Sequence, residues 1–159
     1  MSSVNPKLTI GMATYDDFDG TYFTIQAIRV YHPEVAKQIE FIILDNNPDG
    51  PCGEPLRHFS GNVPGCRYVP SYYNQGTASR DLIFRLATTP YVVCVDSHIL
   101  ILPGAIAKLI AYFDAHPESQ DLLQGPLIYD DLENTSTHFK PGWSDGMYGT
   151  WETDSRGLD

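Results

Sequence analysis

Basic residues are scarce in this sequence: 10 lysines and arginines stand against 20 aspartates and glutamates, a formal charge of −10. Binding to a nucleic-acid backbone rests on clustered Lys and Arg. No basic patch occurs, so no nucleic-acid partner is expected. Cysteine is scarcer still, with three residues and no CxxC spacing. That disfavours both a zinc site and a disulfide framework. Cys94, inside an apolar run, reads as a small core residue. Long apolar runs are also missing. No segment reaches the roughly 18 residues of a membrane span, and MSSVNPKLTIGMATYDD has no apolar stretch behind a basic start. A soluble, cytoplasmic protein is expected. GxGxxG and GxxxxGK[ST] are both absent, which disfavours the dinucleotide fold and the P-loop. There is no GxSxG nucleophile elbow either.

What is present suffices for a core. At 159 residues, 42% hydrophobic and 12% aromatic, the chain fits one compact domain over residues 1–159. Lys7 to Ala13 reads as a strand that ends in the polar tip Thr14-Tyr15-Asp16-Asp17. A helix is predicted after Gly20, through TYFTIQAIRVYH, and Pro33 follows it. EFIIL, 40–44, is nearly continuous in its apolar character, as suits a strand covered on both faces, and it runs directly into Asp45-Asn46-Asn47. Residues 48–66 carry no period and read as a long surface loop. Cys66 to Val69 is a brief third strand, and Gly76-Thr77 opens a helix through Ala87. Tyr91 to Val95 is a fourth strand. Pro103 falls in the first turn of a helix that runs to His116. A strand is predicted within 122–129, and the tail beyond it is rich in Gly, Trp, Asp and Thr.

Strands alternating with helices imply a mostly parallel α/β sheet with helices on both faces. Ligands of such sheets bind beyond the carboxyl ends of the strands. Three polar clusters lie at such ends: Thr14 to Asp17, Asp45 to Asn47, and Asp96-Ser97-His98. In an extended segment Asp96 and His98 point the same way while Ser97 turns aside. A carboxylate and an imidazole so placed suit a divalent cation such as Mn²⁺, or Mg²⁺. Arg80, in the first turn of its predicted helix, is placed to hold an anionic group such as a diphosphate.

In order along the chain, LTIGMATYDD, FIILDNNPDG, NQGTASRDLIFRLATTPYVV and VCVDSH resemble the elements of a GT-A type glycosyltransferase, family 2-like. The resemblance covers roughly residues 7–116, leaving 117–159 as a partial acceptor-side segment. The family's usual metal motif is Asp-x-Asp. Here the last acid is replaced by His98, a form similar to that of the polypeptide N-acetylgalactosaminyltransferases. The resemblance implies a GT-A, Rossmann-like sandwich and transfer of a hexosyl or N-acetylhexosaminyl group from a UDP-sugar. The acceptor, whether saccharide, peptide or small molecule, is not legible.

The resemblance also implies roles for single residues. Thr14 and Tyr15 would line the base pocket, and Asp45 would accept a hydrogen bond from the uracil ring. Arg80, aided by Gly76, would contact the diphosphate. Asp96 and His98 would hold the metal that bridges its oxygens. Inverting members carry a general base well after the metal motif, and WSDGMYGTWETD offers Asp145, Glu152 and Asp154, with Trp143 and Trp151 as stacking surfaces for a sugar. The pattern ends early at Asp159, so a shortened, non-catalytic nucleotide-sugar-binding module is the competing expectation. A nucleotidyltransferase is disfavoured, because no Gly-rich, Lys/Arg-bearing loop follows the first strand. A missing C-terminal half would leave an open sheet edge, which favours self-association.

Overall fold

Side chains that alternate between the two faces of a strand need a cover on each face. In the computed structural model, which describes residues 5–73, 76–129, 131–144 and 146–154, helices supply both covers. Strands β1 (Leu8–Thr14), β2 (Ile39–Asp45), β3 (Cys66–Pro70) and β4 (Tyr91–Val95) form one parallel sheet in the order β3-β2-β1-β4. On one face Ile10, Met12, Phe41 and Ile43 pack against α1 (Phe18–Tyr31), α2 (Gly53–Gly61) and α4 (Ala105–Ala115), which contribute Ile25, Ile28, Leu56, Phe59, Ile106 and Ile110. On the other face Ile42, Leu44, Val92 and Cys94 meet Ile83 of α3 (Arg80–Leu86). The continuous apolar run of β2 follows from this double burial.

Chain order explains which helix covers which face. The path steps outward from β1 to β2 to β3, then returns across β1 to β4. With every crossover of one hand, the returning helix α3 must lie on the face opposite α1 and α2. That reversal places a topological switch point between the carboxyl ends of β1 and β4, where open α/β sheets bind ligands. Close packing at this point needs Gly11, since a Cβ there would collide with the side chain of Ile83.

Several predicted boundaries are corrected. The expected loop of 48–66 contains α2, whose Leu56 and Phe59 continue the spacing of Cys52 before it and Val63 after it; its Gly and Pro content masked the period. The helix expected from Gly76 starts as a 3₁₀ turn, Gly76–Ser79, before the seven-residue α3. Helix α1 begins at Phe18, ahead of Gly20. Pro103 precedes its helix, because Gly104 at φ 81° is the N-cap and α4 begins at Ala105. Within the predicted strand of 122–129, only β5 (Leu127–Ile128) pairs, with β6 (Thr135–Ser136).

The chain separates into two compact units, Met1–Pro117 and Glu118–Asp159. The second unit carries the β5–β6 pair and a hairpin of β7 (His138–Ser144) with β8 (Met147–Glu152). Across that hairpin the rings of Phe139 and Trp151 lie 4.6 Å apart, and those of Trp143 and Tyr148 lie 5.6 Å apart. Among the described residues, no helix is long and apolar enough to cross a membrane.

Candidate functional site

Helix α1 shapes the switch point from its first turn. Asp17 is its N-cap, with Oδ1 accepting from the Gly20 N–H at 2.9 Å. Asn and Asp are preferred there because a side-chain acceptor satisfies an otherwise orphan backbone donor. The other carboxylate oxygen, Oδ2, reaches across to the turn after β4, accepting from Ser97 Oγ at 2.6 Å and lying 3.3 Å from His98 Nδ1. This closeness needs Gly20, where a Cβ would run into the Asp17 carboxylate. Burial alone would raise the Asp17 carboxyl, but hydrogen bonds from Ser97, Gly20 and His98 outweigh it and hold the group below its ordinary value.

Further along the same helix, buried Thr24 fixes the segment that follows the acid and imidazole. Its hydroxyl donates to the Ser97 and Ile99 carbonyls, each at 3.0 Å, and accepts from the Ile99 N–H at 2.9 Å. One hydroxyl proton serves those two carbonyls, so the two donations alternate or are shared. His32, at the helix end, places Nε2 3.1 Å from the Ile101 carbonyl. Thr24 of α1 and the two residues that cap it, Asp17 and His32, thus clamp residues 97–101.

The expected alternation of Asp96, Ser97 and His98 is not what the chain adopts. The strand ends at Val95, and Ser97 and His98 form a turn. Ser97 is buried rather than turned aside to solvent. Asp96 pairs with the Arg80 guanidinium, while His98 goes to Asp17. The four side chains therefore form two adjoining charge-bearing pairs, with Asp96 and Arg80 each about half exposed.

Asp45 ends β2, opposite Thr14 in register, and is 1% exposed. Its Oδ1 accepts from the Asn47 N–H at 2.9 Å and its Oδ2 from the Tyr68 hydroxyl at 2.7 Å. Burial and the bond to Asp45 push the Tyr68 phenol well above its ordinary value. Thr14 is also buried, and its hydroxyl donates to the Asp17 carbonyl at 3.3 Å; Tyr15 beside it is exposed. Asp16, at a left-handed φ of 50°, accepts from Asn47 Nδ2 at 2.9 Å, and Asn46 Nδ2 donates to Ser79 Oγ at 3.2 Å. The two strand tips and the turn carrying Gly76 are knit together by these bonds. At seven residues α3 is too short for its N-terminus to serve as an anion site, which leaves the Arg80 side chain as the cationic group on this turn.

Of the three base candidates, Asp145 lies outside the described residues. Glu152 is ion-paired with Lys140 at 2.8 Å across the hairpin. The Asp154 backbone N–H donates to Thr137 Oγ1 at 2.8 Å.

Asp17 and Ser97 belong to the polar clusters read from the sequence but carry no role there, and Thr24 and Tyr68 are outside those clusters, yet all four position members of the site. For Asp17 a signal existed: an acid immediately before an apolar-periodic segment is an N-cap signature. The cross-chain partners of Thr24 and Tyr68 depend on tertiary packing and have no local signal.

Comparison with known proteins agrees with this architecture. The structure of S. aureus TarS 1-349 superposes with a TM-score of 0.59 at 12% identity, over 87% of this chain and 42% of that one. TarS 1-349 in complex with UDP-GlcNAc gives 0.58 at 14% identity, over 75% and 37%. The chain is also 26% identical over 147 residues to the uncharacterized protein y4gI of Sinorhizobium fredii, covering 77% of this chain but 15% of that protein. It thus spans well under half the length of each of these relatives. The sheet is the GT-A type α/β arrangement of those structures, and residues 9–154 match the family model described as glycosyl transferase family 2, to which this chain belongs.

Proposed function

We propose that this chain carries the donor site of a metal-dependent glycosyltransferase that moves a sugar from a UDP-sugar to an acceptor. The observation that carries the reading is the Arg80–Asp96 pair beside the Asp17–His98 pair at the sheet's switch point. TarS, a protein of the same fold, has been crystallised with UDP-GlcNAc, which supports a UDP-sugar as donor.

By donor type, the carboxylate oxygens of Asp96 and the imidazole nitrogen of His98 suit a divalent cation such as Mn²⁺ or Mg²⁺. Among the described residues no group of three or more His, Cys, Asp or Glu is gathered as a metal site, so phosphate oxygens and water would supply the remaining positions. When bound, such an ion offsets the charge that a departing nucleoside diphosphate accumulates. Arg80 adds a fixed positive charge to the same end of the reaction. Its ion pair with Asp96 is half exposed, and pairs of that kind contribute about 0–1 kcal/mol. Exchanging Asp96 for a phosphate partner therefore costs Arg80 little. Asp45, with Thr14 and Tyr15 of the first tip, would face the uracil base.

A donor-binding module without transfer remains the second reading, favoured by the Lys140 partner that already occupies Glu152. Both readings predict UDP binding, and release of UDP from a UDP-sugar separates them.

Calorimetric titration of UDP with Mn²⁺, and again with EDTA, tests the proposal. Binding is expected only with the metal, lost in Asp96→Ala and retained with altered metal preference in His98→Asp. Identical titrations with and without EDTA would remove the metal from the site, and absence of binding in both would reject the donor reading.

A further inference from the structure

The carboxylate of Asp17 has two oxygens with different duties. Oδ1 is committed to the Gly20 N–H, a group that can only donate. Oδ2 is therefore the oxygen that faces Ser97 and His98. An ionised carboxylate only accepts, so a neutral imidazole bonded to it through Nδ1 must carry its proton there. The lone pair is then left on Nε2, the nitrogen that points away from Asp17.

We infer that Asp17 is a positioning residue for His98, selecting the tautomer and ring orientation that present Nε2 as a ligand to the divalent cation. The inference rests on the metal reading of the site given above. It joins sequence to chemistry through one residue: the acid that starts α1 also prepares a ligand on the turn after β4. Carboxylate–imidazole–metal relays of this type fix ring orientation and raise ligand basicity. Two neighbours make the arrangement stiff. Gly20 leaves space for the carboxylate, and Thr24 holds the backbone on both sides of His98 through Ser97 and Ile99.

Asp17→Asn separates this role from helix capping. Asn caps as well as Asp, and its Oδ1 stays on the Gly20 N–H because that donor requires an acceptor. The amide nitrogen then replaces Oδ2 and donates toward His98 Nδ1, driving the ring proton to Nε2. The ligand nitrogen is thereby blocked with little change in shape.

The test has two readouts on the full chain. In metal-free protein at about pH 8.5, long-range ¹H–¹⁵N correlation reports which nitrogen of a neutral imidazole carries the proton. The His98 signals are assigned by their loss in His98→Ala. The wild type is expected to show the Nδ1–H form and Asp17→Asn the Nε2–H form. Mn²⁺ affinity in the presence of UDP, read from the free-ion paramagnetic resonance signal, is expected to fall roughly 10–100-fold in Asp17→Asn. Adding Asp17→Asn to His98→Ala should cause no further loss. An Nε2–H imidazole in the wild type overturns the inference without using any variant. Unchanged Mn²⁺ affinity in Asp17→Asn, or an equal loss in the His98→Ala background, overturns it as well. If wild-type protein takes up no Mn²⁺ while His98 is in the Nδ1–H form, the metal reading itself has failed, and with it the ligand role given to His98.

Discussion

Ser97 Oγ donates to Asp17 Oδ2 at 2.6 Å across 80 residues of sequence, joining the first turn of α1 to the turn after β4. Seven residues further along α1, Thr24 repeats the connection through the backbone of the same turn. The loop that carries Asp96 and His98 is therefore held by a rigid helix rather than left to its own preferences, which is what a binding constellation needs.

Thr24→Val tests that support. The substitution keeps the β-branched shape but removes the hydroxyl, leaving the half-buried Ile99 N–H and the buried Ser97 carbonyl without their partner. A loss of about 1–3 kcal/mol in unfolding free energy is expected from urea denaturation. UDP affinity with Mn²⁺ should weaken too, since the turn holding His98 loses its anchor. Full stability would mean that the turn holds itself.

Arg80→Gln separates ligand binding from folding. Both members of the Arg80–Asp96 pair are about half exposed, so removing the guanidinium should change stability by less than about 1 kcal/mol. A charged hydrogen bond to phosphate is worth about 1.5–3 kcal/mol, so UDP affinity should fall roughly 10–100-fold. Calorimetry and thermal denaturation on the same preparations give both numbers. A variant that binds UDP like the wild type would confine Arg80 to its ion pair with Asp96.

The architecture was legible because it rests on local signals. EFIIL is apolar at every position but its first, and the segments after Gly20 and after Gly104 carry helical periods, so the alternation of elements could be read directly. Polar residues at the strand ends identified Asp45, Asp96 and His98 as residues that fold to one edge. What could not be read was how each side chain would be partnered. The period-of-two rule placed Asp96 and His98 together, but the strand stops at Val95, and a turn does not obey that rule. Ser97, assigned away from the site, became its buried link to Asp17. Helix α2 was hidden because Gly53, Pro55 and Gly61 lower its propensity, and burial of Leu56 and Phe59 compensates.

Asp45 is tied into the fold as well as into the proposed base site. From sequence alone, replacing it would be expected to weaken UDP binding with little effect on stability. Its burial and its bonds to the Asn47 N–H and the Tyr68 hydroxyl imply instead that Asp45→Ala also costs about 1–3 kcal/mol, by leaving two donors unmet.

Tyr68→Phe isolates the structural half of that role, because it removes one bond and leaves the carboxylate in place. The Tyr68 phenol is raised by burial and by its bond to Asp45, with Arg57 opposing and Tyr72 reinforcing the shift. A raised phenol favours its neutral form in the folded state, while the unfolded chain ionises near pH ~10. Its contribution to stability is therefore full below that pH and is lost as pH rises from there through the folded value. Urea midpoints measured from about pH 8 to about pH 11 should decline more steeply in the wild type than in Tyr68→Phe. Tyr91, also raised through its bond to Asp114, is common to both proteins and cancels in the comparison. Parallel curves would show that the buried, Asp45-bonded state of the Tyr68 phenol does not persist in solution.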